Sequence, residues 1–88
     1  MLHKIIRVDF PEGMRSKAAA LFVQTASRFE AQLTIEKGNK KVNAKSIMGV
    51  LSLGINQGEN MHVIATGEDA KEALQSLTEL VEGGFREE

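Results

Sequence analysis

The sequence predicts an α+β domain in which an antiparallel sheet carries its helices on one face. Two patterns and one constraint predict it. Polar and apolar residues alternate in three short segments, a Gly-Asn turn leads into a fourth, and apolar residues recur at helical spacing in three others. The connections between these segments are only a few residues long, which favours a layer of helices packed on an antiparallel sheet.

Residues 2–10 read as a strand, with Ile6, Val8 and Phe10 alternating against Ile5, Arg7 and Asp9, and Pro11-Glu12-Gly13 reads as a turn. From Lys17 to Phe29, the residues Ala18, Leu21, Phe22, Thr25 and Phe29 mark a helical face, and Ser16 is placed to cap that helix. Residues 32–37 alternate with Leu33 and Ile35 inward, and Gly38-Asn39 turns the chain into a short strand at Lys40–Asn43. Ile47 to Leu53 forms a short helix closed by Gly54. Residues 60–67 form the last strand, with Met61, Val63 and Ala65 inward. Asp69 or Glu68 opens a final helix through Val81, whose face is Ala73, Leu74, Leu77, Leu80 and Val81. Gly83-Gly84 ends it, and residues 85–88 read as a frayed tail.

Composition narrows the function classes. At 88 residues the chain makes one domain, 1–88, with a modest core. A net charge of −1 gives no reason to expect direct nucleic-acid or membrane binding. No apolar run is long enough to span a bilayer, no signal pattern opens the chain, and there is no cysteine. A cytoplasmic, cofactor-free domain is expected. His3 and His62 have outward strand parity and read as solvated residues, too few for a histidine-based metal site.

Two stretches carry the chemistry. In Lys45-Ser46-Ile47-Met48-Gly49, a serine stands at the mouth of a helix whose apolar residues (Ile47, Met48, Val50, Leu51 and Leu53) are too many for one buried face. Some must point outward beside Ser46, forming a candidate docking surface. A serine there is explained by capping alone. It is equally a place where a phosphate is tolerated, because the helix dipole favours negative charge. The second stretch is Gly13-Met14-Arg15-Ser16-Lys17-Ala18-Ala19, which puts two cations at a helix start, against its dipole.

These stretches, in this element order, resemble the histidine-containing phosphocarrier (HPr) family of bacterial sugar phosphotransferase systems over nearly the whole chain. The resemblance implies an open-faced β-sandwich of order β-α-β-β-α-β-α, with four antiparallel strands and three helices on one face. It implies that Ser46 is phosphorylated from ATP by HPr kinase/phosphorylase, and that the phosphoserine form is corepressor of a LacI-type catabolite control regulator. It also exposes a departure. The family's carrier histidine is Arg15 here, its arginine is Lys17 and its proline is Ala18. A guanidinium stays protonated and offers no neutral nitrogen nucleophile, so phosphoenolpyruvate-dependent phosphoryl carriage is not expected. The chain is therefore similar to the catabolite-repression, Crh-like branch, a non-enzymatic regulator.

By the same resemblance, Ala20, Leu21 and Gln24 on the first long helix join Ile47, Met48, Leu51 and Ser52 as partner-contacting residues. Arg15 and Lys17 are assigned to an acidic group of the regulator, and Lys45, with Lys40 and Lys41, to steering the kinase. The alternative is a docking module of the same fold that modulates a metabolic enzyme or permease without phosphorylation. A monomer or weak homodimer is expected, with a route to exchange of the first strand at the Pro11-Glu12-Gly13 hinge.

Overall fold

Alternation in the first segment produces strand β1, Leu2–Arg7, in the computed structural model, which describes residues 1–85. β1 is shorter than the expected 2–10 because its partner runs out: Arg7 pairs with Asn60, the first residue of the neighbouring strand. Val8 continues inward but bonds to a turn instead, its amide to Glu59 O and its carbonyl to the Gly58 amide.

Helix α1, Ser16–Ala26, buries Ala18, Ala19, Phe22 and Ala26. Leu21, Thr25 and Phe29, expected on the same face, are half-buried. The helix stops before Phe29 because its last turn tightens, with Arg28 and Phe29 donating to carbonyls three residues back. Strands β2, Gln32–Lys37, and β3, Lys40–Asn43, form a hairpin whose turn needs Gly38 at φ +61°. Helix α2, Ile47–Ser52, strand β4, Asn60–Thr66, and helix α3, Ala70–Glu82, complete the order β-α-β-β-α-β-α. α3 buries Ala73, Leu74, Leu77 and Val81 as its spacing predicts.

The four strands lie in the order β1-β4-β2-β3, every neighbouring pair antiparallel. Ile6, Val8, Leu33, Ile35, Met61, Val63 and Ala65 turn inward and are buried together with residues of all three helices. The opposite sheet face is open, with Ile5 64% exposed. His3 and His62 sit on that open face, as parity predicts, but not as separate solvated residues. Register pairs His3 with Ile64 and Ile5 with His62, so the two rings are diagonal neighbours, and His3 Nδ1 lies 2.9 Å from His62 Nε2.

One expectation fails at a helix end. Phe85, assigned to a frayed tail, is only 4% exposed and meets the Phe10 ring edge-on at 5.2 Å between centroids. After α3, Gly84 takes φ +78° and the Phe85 amide donates to Leu80 O at 2.9 Å, a Schellman turn that folds Phe85 back onto the core. Residues 86–88 of that expected tail lie outside the described residues. Asp69 does precede α3, yet its side chain makes no cap bond. Its carboxylate accepts instead from the amides of Glu30 (2.9 Å) and Ala31 (2.8 Å), fastening the loop before β2. Those bonds, the Glu30 amide first, hold its carboxyl below the usual range.

Candidate functional site

The turn from β3 into α2 is built by Asn43. Its side-chain oxygen accepts from the Lys45 amide at 2.9 Å, and its carbonyl accepts from the Ser46 amide at 3.0 Å. Ser46 is thereby delivered in an extended conformation, φ −108° and ψ 116°, with Oγ accepting from the Gly49 amide at 3.1 Å. Its own carbonyl takes the Val50 amide. Ser46 thus caps α2 with a lone pair, and the bond does not use its proton. Gly49 leaves the space this requires: a Cβ there would stand 3.2 Å from Val42 Cβ and 3.4 Å from Ser46 Oγ.

The apolar excess of α2 divides as its length demands. Val50 and Leu53 are buried, whereas Ile47 is 39%, Met48 73% and Leu51 40% exposed, all within one turn or so of Ser46. Ser52 is exposed, and its hydroxyl donates to Gly49 O. α1 packs against α2 and contributes Gln24, exposed, with Ala20 and Leu21 half-buried beside it. Sequence alone left Leu21 and Leu51 alike; Leu51 is the more open of the two.

Lys45 is half-buried and its ammonium donates to Phe29 O at 2.6 Å. That bond spans the gap to the turn after α1, so the side chain is tied into the fold. Lys41 pairs with Glu36 at 3.3 Å across the hairpin and is otherwise open to solvent.

The corner before α1 is entered differently. Gly13 turns at φ +68° against Ile55, whose carbonyl oxygen would lie 2.4 Å from an added Cβ. Met14, fully buried, donates its amide to the same carbonyl at 2.9 Å. Arg15 is the residue preceding the helix, and its carbonyl accepts from the Ala18 amide. Ser16 is therefore not the cap: it is the first helical residue, held at φ +46°, and no side chain caps α1. The buried Met14 anchor overrides the local preference of serine. The Arg15 guanidinium, exposed, donates to Asn56 Oδ1 at 3.1 Å, and Pro11, Glu12, Ser16 and Gln57 complete a shallow depression around it. Lys17 is exposed on the first turn.

The α1 corner is tied to the loop after α2, a connection the sequence does not announce. Lys37 Nζ donates to Leu53 O (3.3 Å), to Gly54 O (3.0 Å) and to Glu59 Oε1 (2.9 Å). The same Glu59 oxygen accepts the Asn56 amide at 2.7 Å, and Asn56 holds Arg15. The Asn56 amide first, then Lys37, keep the Glu59 carboxyl below its ordinary range. Lys37 lies 16 to 22 residues from its partners, so no local pattern would have found it.

Among the described residues no group of three or more His, Cys, Asp or Glu is arranged to hold a metal ion, and no helix is long and apolar enough to cross a membrane. The arrangement is a surface: a serine hydroxyl before α2, three exposed apolar side chains on that helix, and a polar depression around Arg15 at the start of α1.

Comparison with known proteins agrees with this geometry. The family model described as the PTS HPr component phosphorylation site matches residues 2–83. The chain is 45% identical over 82 residues to the HPr-like protein Crh of Halalkalibacterium halodurans, covering 93% of this chain and 98% of that one. Among solved structures, HPr of Thermoanaerobacter tengcongensis matches with a TM-score of 0.95 at 49% identity, over 100% of this chain and 99% of that one. The Bacillus subtilis Crh crystal structure, described as a dimer with a swapping domain, matches with a TM-score of 0.76 at 42% identity, over 99% and 100%.

Proposed function

The chain belongs to the HPr family, and from that footing we propose that it is a Crh-like regulator switched by phosphorylation of Ser46. HPr kinase/phosphorylase transfers the γ-phosphoryl group of ATP to Ser46 Oγ, which gives up its proton. The phosphoserine form then binds a LacI-type catabolite control regulator as corepressor, in the cytoplasm.

The observation that supports this most is the position of the Ser46 hydroxyl. It caps α2 through a lone pair and stands beside exposed Ile47, Met48 and Leu51. Phosphorylation adds about two negative charges next to an apolar patch. A partner carrying arginine beside an apolar contact would read both at once. Arg15 supports the regulatory reading from the other side, because a permanently charged guanidinium cannot take phosphate and pass it on. Arg15 and Lys17 would instead present fixed positive charge to an acidic group of the regulator, with Ala20, Leu21, Gln24 and Ser52 filling the contact between.

Of the kinase-steering lysines, Lys40 and Lys41 fit the role better than Lys45, whose ammonium is committed to Phe29 O. The chain would act as a monomer or weak homodimer, the dimeric Crh relative giving the precedent.

The test is intact mass after incubation with ATP and HPr kinase/phosphorylase, with Ser46→Ala as control. One phosphate, lost in the variant, is the expected result; no phosphate would end the proposal. Regulator binding by the phosphorylated protein should then fall with Met48→Lys and with Arg15→Glu. The exposed apolar patch exists without any phosphate, and this favours a second reading: a docking module for a metabolic enzyme or permease. That reading predicts partner binding that survives Ser46→Ala.

A further inference from the structure

On the sheet face away from the helices, three strands align three polar side chains in a row. Glu36 of β2 stands directly opposite His62 of β4, and His3 of β1 is the diagonal neighbour of His62, because the register pairs Ile5 with His62. His3 Nδ1 and His62 Nε2 are 2.9 Å apart, with ring centroids at 4.9 Å. The other nitrogen of His62, Nδ1, faces Glu36 Oε1 at 3.9 Å. Glu36 is kept in place by Lys41, which takes its second oxygen at 3.3 Å.

We propose that His3 and His62 form a two-histidine site for a divalent transition-metal ion of the zinc type, with Glu36 as the group that orients His62. The two nitrogens already meet in a hydrogen bond, and a metal ion would take the place of the proton they share, with the rings opening slightly to receive it. Imidazole nitrogens sit about 2.0–2.1 Å from zinc, so a pair subtending a right to tetrahedral angle stands roughly 2.9–3.4 Å apart. Neutral imidazole is the ligand this class of ion prefers. Glu36 lies 3.9 Å from Nδ1, so a small approach of its carboxylate would hold the proton there and leave the Nε2 lone pair for the metal, the arrangement that supports histidine ligands generally. Counting histidines along the chain suggested too few, because it does not reveal that residues 59 apart touch. The protein supplies two nitrogens, and water completes the coordination on this solvent-facing surface. Binding would join edge strand β1 to β4 and so oppose separation of the two.

The experiment is titration of Zn2+ into the full chain by calorimetry, with the imidazole Cε1–H signals followed by NMR. Zinc is the probe because copper and nickel could be taken by His3 with the backbone nitrogens before it. The expected result is one ion per chain, displacement of both histidine signals, and affinity about tenfold or more weaker in His62→Gln and in His3→Gln. Glu36→Gln should cost several-fold, and less than either histidine. Three results overturn the proposal: no Zn2+ bound at millimolar concentration, affinity unchanged in His62→Gln, or displacement confined to the His3 ring. The NMR reading on the unsubstituted chain keeps the test valid if a variant folds poorly.

Discussion

Ser46 and Ser16 stand at the starts of helices that pack on each other, and their backbones differ. Ser46 arrives extended, and its hydroxyl caps α2. Ser16 is already inside α1 at φ +46°, and Arg15 occupies the cap position with no side-chain bond. The same residue type has the same local preference in both places. At Ser46 the Asn43 turn lets that preference act, whereas at Ser16 the buried Met14 and the tight Gly13 contact set the chain path first. A capping residue in a sequence is therefore evidence for a cap only where the preceding loop is free to deliver it.

The largest effect should come from breaking the constraint at the α1 corner. Gly13→Ala adds a Cβ 2.4 Å from Ile55 O in a left-handed conformation. The expected cost is on the order of 2–4 kcal/mol from strain and overpacking together, read by urea unfolding. A cost below that of a lost helix cap would mean that the corner is not pinned as described. Ser46→Ala comes next, at about 1 kcal/mol for the lost cap. A stability equal to that of the unsubstituted chain would remove the structural half of the contrast. Ser16→Gly should go the other way, gaining about 0.5–1 kcal/mol, because the left-handed conformation costs a side chain roughly 1–2 kcal/mol and glycine recovers most of it. A loss of stability would show that the Ser16 hydroxyl does more than tolerate its place.

The smallest effect is electrostatic. Glu59 and Asp69 are held below the ordinary carboxylate range when folded. A depressed folded pKa contributes stability above the unfolded value and loses it as pH falls through the folded one. Stability should be flat from neutrality down to the ordinary carboxylate range and then decline under further acidification. In urea midpoints taken at falling pH, Asp69→Asn and Glu59→Gln should each shallow that decline. Solvent around both groups keeps the change modest.

Much of the fold was legible because its signals are local. Alternation placed β2 and β4, and the Gly38-Asn39 turn placed β3, each within a residue or so, and spacing named four of the buried residues of α3. That some apolar residues of α2 turn outward followed from counting them on a short helix, and the family resemblance singled out Ile47, Met48 and Leu51, which are the exposed ones. What escaped depends on residues far apart in the chain. Lys45 reads as a surface cation, but its ammonium is tied to Phe29 O, and the Asp69 carboxylate serves the amides of Glu30 and Ala31 across the fold. Phe85 was misread for a related reason: the glycines mark the end of α3 but not the direction of the chain after it.

Surface connections are ordinarily where a chain absorbs gains and losses of length. Residues 53–59 resemble one, with two glycines and with Asn56 and Gln57 exposed between them. They are nevertheless gripped from several directions: Lys37 at Leu53, Gly54 and Glu59, Met14 at Ile55, Arg15 at Asn56, and Val8 at Gly58 and Glu59. One residue inserted or deleted there would displace the end of α2, the entry to α1 and the start of β4 together. In chains descended from a common ancestor with this one, the length of the segment should hardly change.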